Sequence, residues 1–126
     1  MYKILIVEDD ETISLVMENK LKQWDYDTFR VSDFKNILTQ FTTFKPDLVL
    51  LDINLPYYDG FYWCAKIREL SSVPVIFISS RDTESDKIRA IVQGGDDYLE
   101  KPFSMDLFIA KVQATLRRAY SYNDHS

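Results

Sequence analysis

The chain has 126 residues, 46% hydrophobic and 28% charged, which suits one soluble domain with a single core. Its net charge of −5 excludes an electrostatic footprint for nucleic acid, and its single cysteine, Cys64, excludes an internal disulfide. No apolar run approaches membrane-spanning length and the N-terminus lacks a signal-like pattern, so a cytoplasmic location is expected.

Residues 3–7 (KILIV) read as a buried strand that ends in Glu8, Asp9 and Asp10. Ile13, Val16, Met17, Leu21 and Trp24 recur at helical spacing and predict an amphipathic helix over about residues 11–24. Residues 28–31 form a short second strand, after which Ser32 or Asp33 caps a helix with inner face Phe34, Ile37, Leu38 and Phe41. Pro46 ends that connection. The unbroken apolar run 48–51 is the pattern of a strand buried on both faces, and Asp52 follows at its carboxyl end.

Pro56 and Gly60 turn the chain into a third helix marked by Phe61, Trp63, Cys64, Ile67 and Leu70. Residues 73–78 predict a fourth strand, with Pro74 near its start, where a missing N–H is tolerated. It runs into Ser79, Ser80 and Arg81. A polar start at 82–86 leads to Ile88, Ile91 and Val92, and Gly94-Gly95 closes that helix. Residues 97–99 form a short fifth strand, Lys101-Pro102 follow, and Met105, Phe108, Ile109, Val112 and Leu116 stripe a last helix. Residues 120–126 lose all periodicity. The domain is therefore expected to span residues 1–119, with 120–126 a tail or the start of a linker.

Five β–α repeats call for an α/β fold, a doubly wound parallel sheet with helices on both faces. Glu8 and Asp9 follow strand one, Asp52 strand three, Ser79 strand four and Lys101 strand five, so all lie on one sheet edge. With the third strand beside the first, the acids converge where strand order reverses. Three close carboxylates repel unless a cation is bound, and Mg²⁺, which joins carboxylates to phosphates, suits them. A lysine and a hydroxyl complement a phosphoryl group. The set reads as phosphoryl transfer to Asp52, which needs positioning and charge neutralisation more than acid–base help. Singly, the plainer readings are better: Asp9 or Asp10 as a helix cap, Asp52 as a turn former, Lys101 and Ser79 as loop residues. Jointly, those readings require four independent accidents on one edge.

Four motifs carry a resemblance: Ile6-Val7-Glu8-Asp9-Asp10; Leu50-Leu51-Asp52-Ile53-Asn54-Leu55-Pro56 with Gly60; Ile78-Ser79-Ser80-Arg81; and Gly95-Asp96-Asp97-Tyr98 running into Lys101-Pro102-Phe103. In this order and spacing they make residues 2–119 resemble the response-regulator receiver domain of two-component signalling. The resemblance implies a flavodoxin/CheY-like sheet of order 2-1-3-4-5 with five helices. It implies that Asp52 accepts phosphate from a sensor histidine kinase and that Asp9 binds Mg²⁺ directly, Glu8 largely through water, and Asn54 by its backbone carbonyl. Ser79 would turn toward the phosphoryl group, Tyr98 would swing inward behind it, and Lys101 would pair with it. The bond before Pro102 would be cis. Such a domain is not an enzyme beyond its own phosphorylation and slow autodephosphorylation.

Asp96-Asp97-Tyr98 and Arg117-Arg118 further resemble the OmpR/PhoB subfamily, which dimerises through its fourth helix, fifth strand and fifth helix and controls transcription through a C-terminal winged-helix DNA-binding domain. By that resemblance Ile91, Ile109 and Val112 form the apolar dimer patch, with Asp97–Lys111 and Asp96–Arg118 as cross-subunit pairs. Leu107 stands where the subfamily usually has glutamate, so Lys87 is expected to lose its dimer partner. The stretch Tyr57-Tyr58-Asp59-Gly60-Phe61-Tyr62-Trp63-Cys64 looks like regulators answering cell-envelope antimicrobial peptides such as bacitracin.

The alternatives are a stand-alone or phosphorylation-independent receiver acting by protein–protein contact, and a Mg²⁺-dependent phosphohydrolase. A haloacid-dehalogenase type would need a second acid at Asn54. A flavodoxin-like electron carrier would need a phosphate-cradling loop where Glu8-Asp9-Asp10 stand. Cys64 reads as a small buried hydrophobe, and His125 is assigned no role.

Overall fold

Every residue of β3 (Leu48–Asp52) and β4 (Val75–Ser79) is buried, because helices cover both faces of the sheet they belong to. The computed structural model describes residues 1–121. It joins these strands to β1 (Lys3–Val7), β2 (Asp27–Arg30) and β5 (Asp97–Glu100) in a parallel sheet of order β2-β1-β3-β4-β5. That is the doubly wound order expected.

Alternation along the strands divides the core in two. Leu5, Val7, Val49, Leu51, Val75 and Phe77 face α2 (Ile37–Phe44), α3 (Gly60–Arg68) and Ala90 of α4 (Glu84–Val92). Ile4, Ile6, Leu48, Leu50, Ile76 and Ile78 face α1 (Glu11–Gln23) and α5 (Met105–Leu116). Among the described residues no helix is long and apolar enough to cross a membrane.

The boundaries differ from expectation where polar side chains compete for the backbone. Asp33 does not cap α2: its carboxylate accepts the Lys35 N–H at 3.0 Å and the Asn36 amide at 2.9 Å. The helix begins at Ile37, and Phe34 packs on the core from a turn. Residue 73 is not yet strand, and Pro74 stays outside β4, offering its carbonyl to the Val49 N–H at 3.0 Å. At the other end α5 continues as a π-helical turn, Arg117–Ser121. Tyr120 stacks on Tyr2 with ring centroids 5.4 Å apart and donates its hydroxyl to the Asp47 carbonyl at 2.6 Å. Packing therefore extends past residue 119. His125 lies outside the described residues.

Candidate functional site

The carboxyl edge of the sheet gathers the polar residues. Asp10 is the N-cap of α1, its Oδ1 accepting the Ile13 N–H at 3.1 Å. That duty falls on the third acid and leaves Glu8 and Asp9 for the site. Glu8, Asp9 and Asp52 each present a carboxylate oxygen, all within 4.8 Å of one another. Glu8 and Asp52 are buried, whereas Asp9 is exposed.

Lys101 closes the group from β5's end. Its Nζ lies 2.5 Å from Glu8 Oε1 and 3.2 Å from Asp52 Oδ2. Burial, and then Asp52 beside it, pushes the Glu8 carboxyl above its ordinary range, with Lys101 opposing. Burial and Glu8 raise Asp9 as well. Burial works against the charge on Lys101, yet its two carboxylate neighbours hold it above the usual lysine value.

The donor set fits a hard divalent cation. Oxygen ligands converge from two strand ends, and the buried Glu8 Oε1 has no hydrogen bond of ordinary geometry among the described residues, only the ammonium facing it. Asn54 follows on the β3–α3 loop, its N–H reaching Asp52 Oδ1 at 3.3 Å.

The remaining expected residues stand around this cluster. Ser79, fully buried at β4's end, accepts the Arg81 N–H on Oγ at 3.0 Å and has the Tyr98 hydroxyl as a side-chain hydrogen-bond partner. The Tyr98 hydroxyl donates to the Arg81 carbonyl at 2.6 Å, and burial raises its phenol. The Lys101–Pro102 bond is cis. Arg81, which the sequence offers only as the last residue of the Ile78-Ser79-Ser80-Arg81 motif, donates from its guanidinium to Asn54 Oδ1, through Nε at 3.0 Å and Nη2 at 2.8 Å. A cation two residues beyond Ser79 was the available signal.

The expected dimer residues divide. Ile91 is 70% exposed, but Ile109 at 6% and Val112 at 0% are core, on the inward stripe of α5 with Ile76, Ile78 and Leu99. They cannot form a surface patch in this fold. The apolar residues exposed near Ile91 in α4, or on α5, are Ile88, Val92 and Leu107. The charges are answered inside one chain: Asp97 pairs with Lys111 at 3.0 Å and Asp96 with Arg68 at 3.2 Å. Arg118 donates to Thr115 Oγ1 at 3.3 Å, and Lys87 pairs with Glu100.

Beside Lys101 an apolar depression of about 460 Å³ opens between α1 and the start of α5, lined by Ile13, Val16, Pro102, Phe103 and Met105 among others.

Residues 4–113 match the family described as response regulator receiver domain. The chain is 48% identical over 122 residues to the sensory transduction protein BceR of Halalkalibacterium halodurans, covering 97% of this chain and 53% of that protein. It is 53% identical over 120 residues to the transcriptional regulatory protein YxdJ of Bacillus subtilis, covering 95% and 52%. The chain thus spans about half the length of these curated relatives. Among solved structures, the N-terminal domain of NsrR, a lantibiotic response regulator for nisin resistance, superposes with a TM-score of 0.86 at 44% identity, over 93% of this chain and 99% of that one.

Proposed function

The chain belongs to the response regulator receiver domain family, and on that premise we propose that Asp52 accepts a phosphoryl group from a sensor histidine kinase in a Mg²⁺-dependent reaction. The observation that carries the reading is the convergence of Glu8, Asp9 and Asp52 around one point, with the Lys101 ammonium against two of them. Glu8, Asp9, Asp52 and the Asn54 carbonyl would hold the ion, which supplies charge neutralisation for the transferring group.

An Asp52 carboxylate oxygen attacks phosphorus, the bond from phosphorus to the donor nitrogen breaks, and its electron pair leaves with the donor. Lys101 pairs with the phosphoryl oxygens and Ser79 donates its hydroxyl to them. The group stays on the protein until water removes it. The domain is an acceptor, with no turnover of a separate substrate. The depression between α1 and α5 adjoins Lys101, which supports its use as the kinase's contact.

The output follows by family analogy. Phosphorylation shifts the α4-β5-α5 face toward a homodimer, with Ile91, Ile88, Val92 and Leu107 as the apolar contribution. Transcription control would pass through a winged-helix domain in residues outside this chain. The likeness to NsrR, a lantibiotic response regulator for nisin resistance, supports a regulator answering cell-envelope antimicrobial peptides.

Intact-mass analysis after incubation with Mg²⁺ and acetyl phosphate tests the premise. One phosphate adduct is expected, absent in Asp52→Ala and absent with EDTA. A folded protein that takes no adduct, or an adduct that persists in Asp52→Ala, refutes it.

A further inference from the structure

Arg81 places each of its polar groups on a different element. Its N–H donates to Ser79 Oγ at the end of β4, and its carbonyl accepts the Tyr98 hydroxyl of β5. Its guanidinium holds Asn54 Oδ1 on the β3–α3 loop and lies 3.5 Å from Asp86 Oδ1 in the first turn of α4. Asp86 belongs to the α4 cap: its Oδ2 accepts the Thr83 hydroxyl at 2.7 Å, and its N–H returns to Thr83 Oγ1 at 3.3 Å.

We propose that Arg81 is the positioning residue through which negative charge gained at Asp52 is passed to the first turn of α4. The inference rests on the phosphoacceptor reading above and adds the route by which α4 senses it.

The physical argument is a competition for one cation. Arginine does not lose its proton in proteins, so its charge must be shared among whatever anions surround it. In the resting structure these include Asp86, while Asn54 tethers the fork beside Asp52. An acyl phosphate replaces a singly charged carboxylate with a phosphoryl dianion at that position. The fork is drawn toward it and away from Asp86. Asp86 then lacks the cation that oriented it for Thr83, and the cap of α4 loosens. Because the Arg81 main chain carries Ser79 and Tyr98, the same displacement reaches β5. Nothing in this route requires movement of the sheet.

Amide hydrogen exchange of residues 84–88 tests it, in wild type and Arg81→Ala, before and after Mg²⁺ and acetyl phosphate, with intact mass read on the same samples. In the transfer an Asp52 oxygen attacks phosphorus and acetate leaves with the electron pair of the broken P–O bond. Exchange in wild type is expected to accelerate by about two- to fivefold on modification, the size set by a half-exposed ion pair. Arg81→Ala should take the adduct yet show no acceleration. An equal acceleration in Arg81→Ala, or none in modified wild type, overturns the inference while leaving the phosphoacceptor reading intact. Absence of the adduct in wild type removes that reading instead. The link is also read without phosphate: in the unmodified protein Asn54→Ala and Arg81→Ala should affect exchange at 84–88 non-additively. Additive effects overturn it.

Discussion

A methyl group built on Gly60 would stand 2.3 Å from the carbonyl oxygen of Asp52. The helix that follows the site therefore starts against the backbone of the site, with the Gly60 N–H held by Ile53 O at 2.8 Å. Only glycine allows that approach. Gly60→Ala is expected to cost about 2–3 kcal/mol, because the obstacle is main chain that cannot rotate away. Urea denaturation checks it, and adduct formation on Asp52 should fall in parallel. A neutral substitution would mean that the loop has slack.

Asp52→Asn removes one charge from a buried acidic group while Lys101 keeps Glu8. In metal-free buffer the variant is expected to be more stable than wild type by about 1 kcal/mol. Wild type should gain about 1.4 kcal/mol from Mg²⁺ at ten times its dissociation constant, and the variant much less. Melting curves with and without Mg²⁺ decide both points, and an unchanged Mg²⁺ response would remove Asp52 from the ligand set.

Arg68 fastens the end of α3 to the turns around β4 and β5. It donates to Gly94 O at 2.6 and 3.1 Å, to Val73 O at 2.5 Å and to Asp96 Oδ2 at 3.2 Å. Arg68→Ala is expected to lose about 2 kcal/mol, since partly buried carbonyls are left without donors. Arg68→Lys should recover little, because a single ammonium cannot reach that fan of acceptors. Full recovery by lysine in denaturant titrations would show that charge alone matters.

Burial, with Asp47 and Tyr2 beside it, pushes the Tyr120 hydroxyl from 10.0 to about 12. A raised folded value means stability that is complete below pH 10 and lost as pH rises toward 12. Discounted for partial exposure, the loss between pH 9 and pH 11 should be about 0.5–1 kcal/mol beyond that of Tyr120→Phe. Parallel denaturation of the two proteins would expose any failure, seen as identical pH profiles.

The two kinds of apolar residue on the output side should respond differently. Ile109→Ala and Val112→Ala empty core positions and are expected to lower stability by about 2–4 kcal/mol. Ile91→Asp, on an exposed position, should leave stability within about 0.5 kcal/mol but weaken self-association of the phosphorylated protein. Sedimentation of modified samples reads the second effect, and an undiminished dimer would move the interface elsewhere.

The two-faced core and the cluster of Glu8, Asp9, Asp52, Ser79 and Lys101 at one edge were legible from apolar runs and their terminal residues, whereas the strand order rested on the resemblance to receiver domains. Periodicity could not separate Ile91 from Ile109, since both lie on helical stripes and only packing distinguishes a stripe against the sheet from one against solvent. Nor could it foresee that Asp97 would meet Lys111 within one chain, a pairing set by how β5 lies beside α5. Asp33 and Asn36 defeated the cap assignment for the same reason: short polar side chains have several local partners, and spacing does not choose among them.

The ammonium of Lys101 against Glu8 and Asp52 also bears on how the domain rests. Three carboxylates and one fixed cation leave a deficit that a single divalent ion would cancel. The lysine thus acts as a resident placeholder. It offsets part of the acidic charge before any ion arrives, and the remaining deficit is what a divalent ion would meet.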